Sequence, residues 1–143
     1  MESFTKPSIL VGPATMDRYL SAILALSRRA PVVRSVDVAA YIGCSKACVS
    51  VAVKQMIRDA LIVRDGRGPL VLSEAGKHRA APYLERFEFF YSLLTDAGVD
   101  VGSAKNEADA IAAALSAHSF EILKRKQEKK HDRSDSTRES IEK

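Results

Sequence analysis

Residues able to do chemistry are thinly spread through this sequence, and their spacing limits what they can do. The three histidines, His78, His118 and His131, are scattered, and none stands in a nucleophile, metal or phosphate-loop motif. Cys44 and Cys48 lie about one helical turn apart, but no further thiol or histidine stands near them in the chain. They read as small buried or half-buried residues rather than as a metal or redox pair. His118 falls beside an apolar stripe and reads as a packing or interface residue. An enzyme is not expected.

One stretch does combine the residue types that a binding chemistry needs. Val36 to Met56 reads V-D-V-A-A-Y-I-G-C-S-K-A-C-V-S-V-A-V-K-Q-M: a short helix, a glycine-bearing turn and a second helix whose early positions are small, polar or basic. A helix-turn-helix has this pattern. Its second helix enters the major groove, so side chains near its start must be short enough to let the axis approach base edges. Ser45, Ala47 and Ser50 meet that demand, and Val51 shares their outward face. Lys46 and Lys54 supply charge for phosphates or guanine edges.

Charge supports the same reading. The chain of 143 residues has a net charge of +4. Between Arg28 and Arg67 stand Arg28, Arg29, Arg34, Lys46, Lys54, Arg58, Arg64 and Arg67, opposed only by Asp37, Asp59 and Asp65. This segment alone is therefore more basic than the whole, which suits contact with phosphate. Arg34, Arg64 and Arg67 join the candidate DNA-binding residues. No apolar run approaches the ~20 residues a membrane span needs, and the first residues lack a signal-peptide pattern. A cytoplasmic protein without a membrane partner is expected.

The elements that must position this stretch follow from periodicity and caps. An N-terminal arm is expected over 1–14. Thr15 is a candidate N-cap, and Met16, Tyr19, Leu20, Ile23, Leu24 and Leu26 form an apolar stripe that Pro31 ends. Ser35 is expected to cap a helix over 36–42 that Gly43 closes. A second helix over 45–59 turns Val49, Val53 (or Ala52), Met56 and Ile57 inward. Two β-prone runs, 61–64 and 70–72, flank D-G-R-G-P and predict a hairpin, the wing of a winged helix. Ser73 caps a further helix, with a kink or restart expected at Pro82. Tyr83, Phe87, Phe90, Tyr91 and Leu94 then share a face, and Gly98 ends the run. A last long helix from about Ala104 carries Ala108, Ile111, Ala112, Leu115, Ile122 and Leu123 as a stripe. The end of the chain alternates charges and becomes Ser-rich, which predicts disorder.

The fold class expected is therefore mainly α: a winged helix-turn-helix with a small β-hairpin wing, plus a C-terminal helical dimerisation domain. The domains are placed at 15–73 for DNA binding and 74–126 for dimerisation, with a charged tail over 127–143. Pairing of two copies through the later helices presents two reading helices to a palindromic operator in double-stranded DNA. A homodimeric transcriptional repressor or activator is the reading. The alternative is a protein-interaction module that heterodimerises with a metal-binding relative.

Over about Thr15 to Lys126 the chain resembles the metal-dependent regulators of the diphtheria-toxin-repressor and manganese-transport-regulator family. The resemblance is carried by M-D-R-Y-L-S-A-I-L-A-L, by the D-V-A-A-Y-I-G-C-S-K-A-C-V-S-V-A-V-K-Q-M segment, by G-P-L-V-L-S-E-A-G-K, and by E-R-F-E-F-F-Y-S-L-L with the G-V-D turn. It implies a winged helix joined to a helical dimerisation domain, with Mn or Fe bound between them and repression of metal-uptake genes. It also implies ligands on the first helix, on the helix after the wing and on the helix beyond. At those positions this sequence has Arg18 and Ser21, then Phe87, then Asp109 followed by Ala112 and Ala113. One carboxylate remains where a hard divalent cation wants several oxygen and nitrogen donors. No cofactor is therefore expected. Divalent Mn or Fe enters only through a relocated site, for which Asp17, Glu88 and Asp109 are the first candidates, with Glu85 and Glu107 nearby. Two alternatives follow: Arg18 pairs with Asp109 or another acid in place of the metal, or a cavity made more apolar by Phe87, Ala112 and Ala113 admits another effector.

Overall fold

The computed structural model describes residues 12–141. Most of the arm expected over 1–14 lies outside them. The elements are α1 (Pro13–Ser27), α2 (Ser35–Ile42), α3 (Lys46–Arg58), β1 (Ile62–Val63), β2 (Val71–Leu72), α4 (Glu74–Asp96), α5 (Val101–Ala114) and α6 (Ala117–Ile141). The chain is mainly helical, with one two-stranded antiparallel sheet in which Ile62 faces Leu72 and Val63 faces Val71.

Helix boundaries follow local chemistry, with corrections to the sequence reading. α1 opens one turn early: Gly12 is its N-cap and Pro13, which has no N–H to leave unpaired, stands at its start. Thr15 is inside the helix. α2 begins at Ser35 because Arg34 is its N-cap, held by donation of the Arg34 N–H to Asp37 Oδ2 at 2.9 Å. Gly43 closes α2 at φ +79°, where a side chain would be strained. Ser45 caps α3, its Oγ accepting from the Cys48 N–H at 3.2 Å. At the other end of α3 the Leu61 N–H donates to Met56 O and the Ala60 N–H to Ile57 O. This Schellman arrangement puts Ala60 at φ +57°, a position that glycine usually takes.

Three longer-range expectations change. α4 runs unbroken through Pro82, so there is no restart. The expected last helix is two helices: Ser116 Oγ accepts the Ser119 N–H at 3.1 Å and starts α6, competing with continuation of α5. α6 then remains helical through 127–141, where disorder was expected. Ser134 and Thr137 turn their hydroxyls back to the Lys130 and Arg133 carbonyls within it.

The core gathers around α1. Met16, Leu20 and Ile23 are fully buried with Val38 of α2 and with Val49, Ala52, Val53 and Met56 of α3. Ile57, read as inward, is 45% exposed because its side chain lies past the edge of that face. α1 makes its most extensive contact with α4, whose Ala80, Tyr83 and Leu84 are buried. For this reason 15–73 and the start of the next segment do not separate. The chain divides after Ala113 into two compact units. Within the first unit, α5 has few close backbone approaches to other elements and is tied in by long side chains.

Gly76, in the first turn of α4, has the tightest backbone contact of any described glycine. A methyl group there would overlap the Leu61 carbonyl oxygen and press on Leu72. That carbonyl already accepts the Ser73 N–H at 3.0 Å, so it cannot retreat freely. Gly76→Ala is expected to destabilise the fold by about 3 kcal/mol, the upper range for overpacking. A thermal melt within a few degrees of the parent would contradict this packing.

Candidate functional site

Two regions carry the residues singled out in the sequence. The first is the outer face of α3 with the hairpin tip. α2 and α3 meet at the Gly43 turn and run at a sharp angle to each other, bent by 118°. Because Val49, Ala52, Val53 and Met56 are buried, Lys46, Ala47, Ser50 and Lys54 are turned to solvent on the opposite side, with Val51 at the margin. Arg34 and Arg67 are exposed as well. Arg64 is not free: its Nε donates to Gly68 O at 3.0 Å and its Nη2 reaches Arg67 O at 3.5 Å. The Arg64 guanidinium therefore shapes the hairpin turn, and Arg67 is the outward cation of the pair. Cys48 is exposed on the same helix rather than half-buried, and Cys44 is half-buried. His118, read as a packing or interface residue, is exposed in the single chain.

The second region is the junction of α1, α4 and α5. Arg18 Nε meets Asp109 Oδ2 at 3.2 Å, across 91 residues of chain. The pair is partly sheltered, with side chains 37% and 18% exposed. The Tyr83 hydroxyl donates to Asp109, with the main-chain oxygen at 3.2 Å and Oδ1 at 3.3 Å. Arg18 Nη2 also approaches Ile42 O at 3.5 Å, and Lys105 donates to Tyr41 O while lying over the Tyr41 ring. Two cations thus face the last carbonyls of α2, whose intrahelical partners are missing at a helix C-terminus. Asp109 links through Arg18 to the helix that braces α3. The sequence reading missed Lys105 and Tyr83. A cation and a phenol on separate helices have no local signal of such a role.

Four of the six positions at which the resemblance implies metal ligands lie together. Arg18, Ser21, Phe87 and Asp109 line a void of about 10 Å³ with Tyr41, Ile42 and Lys105, room for about one water. Ser21 Oγ is committed to Arg18 O at 2.8 Å. Phe87 stacks on Tyr91 at 5.7 Å. Ala112 is buried and its carbonyl accepts from Arg86 Nε at 3.0 Å, while Ala113 lines a larger cavity beside the ion pair. A divalent cation here would meet one carboxylate already bound to a guanidinium, a second cation in Lys105 and a phenyl ring. These residues do not fit Mn or Fe. Two of the relocated candidates are engaged elsewhere. Asp17 accepts from Arg79 Nε at 2.6 Å and Glu88 pairs with Arg28 at 3.7 Å. Among the described residues no three His, Cys, Asp or Glu side chains are grouped for a metal.

The junction holds its phenols neutral. Burial raises Tyr83 strongly, and the neighbouring Asp109 carboxylate raises it further. Burial, then the hydrogen bond to Cys44 Sγ at 3.8 Å, pushes Tyr19 up to about 12. Both folded values lie above the ordinary 10.0, so the folded state keeps protons that the unfolded chain releases. The contribution is complete below pH 10 and is lost as pH rises through the folded values. Melting temperature is expected to fall progressively above pH 10, and Tyr83→Phe is expected to flatten that fall. Melts that stay level across this range would refute the assignment.

Similarity to known proteins lies in the fold. No family model matches the sequence, and no curated protein is significantly similar to it. The manganese regulator SloR superposes with a TM-score of 0.67 at 20% identity, over 79% of this chain and 53% of SloR. ScaR, solved with bound Zn²⁺, gives a TM-score of 0.58 at 16% identity over the same shares. A hypothetical protein from Sulfolobus solfataricus gives 0.53 at 15% identity, over 78% of this chain and 88% of that one. The chain spans about half the length of SloR and ScaR, and among the described residues no single helix is long and apolar enough to cross a membrane. At these identities the chain shares with the two regulators a fold.

Proposed function

We propose that this protein is a homodimeric, sequence-specific DNA-binding transcriptional regulator of the winged helix-turn-helix type. Its DNA-competent arrangement is held by the Arg18–Asp109 ion pair instead of a divalent cation. The observation that carries the DNA reading is the two-sided α3. Its buried face is anchored by Val49, Ala52, Val53 and Met56, and its solvent face offers Lys46, Ala47, Ser50 and Lys54. Short side chains at its start permit close approach to base edges, and the lysines suit phosphates or guanine. The β1–β2 hairpin with Arg67 at its tip acts as the wing. The exposed Leu93 and Val101, on either side of the α4–α5 turn, offer apolar surface to a second copy. The resemblance to manganese regulators and the fold shared with SloR and ScaR support the regulator class.

Metal independence rests on Arg18. Its guanidinium supplies, permanently, the positive charge that links Asp109 of α5 to α1 and to the end of α2. In a two-state protein such a link favours one arrangement without a ligand. DNA sites selected from a random pool, then measured by mobility shift with chelator or with Mn(II), test this. The expected change is less than about fivefold, the low end of allosteric coupling. A sharp rise with Mn(II) that chelator reverses would return the protein to the metal-responsive class.

A further inference from the structure

The ion pair forms one wall of a second, larger space. A cavity of about 360 Å³ opens between α1, α4 and α5, within the range of about 300–1,000 Å³ in which small-molecule sites fall. Thr15, Arg18, Tyr83, Asn106 and Asp109 give it its polar groups. Ala110 and Ala113 keep its walls low and apolar. The Asn106 carboxamide has no hydrogen-bond partner among the described residues, so a donor and an acceptor are spare at the rim.

We propose that this cavity binds a small zwitterion of the amino-acid type, which acts as an effector. The argument is one of charge balance. The lining carries one guanidinium and one carboxylate, paired with each other at 3.2 Å. A simple carboxylic acid competing for Arg18 would strand the sheltered Asp109 carboxylate, and a simple amine competing for Asp109 would strand Arg18. An uncompensated charge costs more the better it is sheltered, so the penalty falls chiefly on Asp109, 18% exposed, and less on Arg18, 37% exposed. A zwitterion avoids both costs: its carboxylate takes the Arg18 guanidinium, its ammonium takes Asp109, and Asn106 serves any further polar group. The alanine walls suit a short aliphatic side chain. Tyr83, held neutral by burial and by Asp109, stays a donor throughout. Because the ligand's charges compete with the Arg18–Asp109 bond, binding loosens the link from α5 to α1 and α2. This regulatory role rests on the proposed DNA-binding function.

The test is a titration of the whole 143-residue chain with each of the proteinogenic amino acids, read by backbone amide shifts and calorimetry. Matched compounds lacking either the amine or the carboxylate serve as controls. At least one amino acid is expected to shift the amides of Asn106, Asp109 and Ala110 saturably, while its two controls do not. Ala110→Phe, at an exposed position that fills the cavity, is expected to keep the parent melting temperature and abolish those shifts. The same amino acid is expected to weaken DNA binding by at least about fivefold. No saturable shift with any amino acid overturns the proposal, as do shifts that persist in Ala110→Phe or equal binding of a control. DNA binding that survives without any such ligand leaves the regulator reading standing. Ligand binding by a protein with no DNA affinity removes that reading and leaves the site.

Discussion

Replacing Lys46 and Lys54 together by alanine is expected to weaken DNA binding by about 100-fold at low salt, with no loss of stability. Both ammonium groups are on the exposed face of α3, and neither forms an ion pair among the described residues. A charge-assisted hydrogen bond contributes about 1.5–3 kcal/mol, and 1.4 kcal/mol is tenfold in affinity. Two such contacts per protomer therefore reach at least two orders of magnitude. If they go to phosphates, the slope of log affinity against log salt falls by about one for each lysine removed. If one reaches a guanine edge, preference at that base pair relaxes instead. Each single variant separates these cases. Mobility shifts and salt titrations with a selected site provide the measurement. Unchanged affinity in the double variant would mean that α3 does not read DNA.

The second large effect is expected at Arg18. Arg18→Ala leaves the Asp109 carboxylate, 18% exposed, with only the Tyr83 hydroxyl. Breaking a fully buried pair costs about 3–5 kcal/mol. Arg18 is 37% exposed, and solvent screens the partnership, so about 1–2 kcal/mol is expected here. The effect on function should exceed the effect on stability. Loss of Arg18 removes both the link to α5 and the approach to the Ile42 carbonyl. DNA affinity is expected to fall at least about tenfold while the protein remains folded, within the usual span of allosteric coupling. The charge-swapped pair, Arg18→Asp with Asp109→Arg, is expected to recover part of it. A double-mutant cycle in which Arg18→Ala and Asp109→Ala are additive would show that the pair transmits nothing. Unaltered DNA binding in Arg18→Ala would remove Arg18 from the mechanism.

Much of the local structure was legible because it depends on neighbours in the chain. The apolar spacing of Met16, Leu20 and Ile23, the Ser45 and Ser73 caps and the Gly43 and Gly98 stops each act within a turn or two. The break at Ser116 was equally local but harder to see. The serine sits inside an alanine-rich run whose periodicity continues past it, and its capping bond competes with that periodicity. Pro82 misled in the opposite direction, because packing of α4 along α1 holds the helix together where the lost hydrogen bond alone predicts a restart.

The site divides along the same line. From residue types came a small-polar, basic candidate reading helix, and from the family resemblance came an arginine and a phenylalanine where it implies metal donors. Those are properties of single positions. The partners of those residues depend on folding. Arg64 could have faced outward like Arg67, but its reach to Gly68 O turns it into a support of the turn. Asp17 and Glu88 could have joined Asp109 around a cation, but in the fold they pair with Arg79 and Arg28 instead. The Arg18–Asp109 pair, the Tyr83 bond that orients it and the Lys105 bond to α2 join residues that are 91, 26 and 64 positions apart. Which charges meet across such separations is set by how α1, α4 and α5 pack, and that packing arises from apolar burial that carries no information about charge.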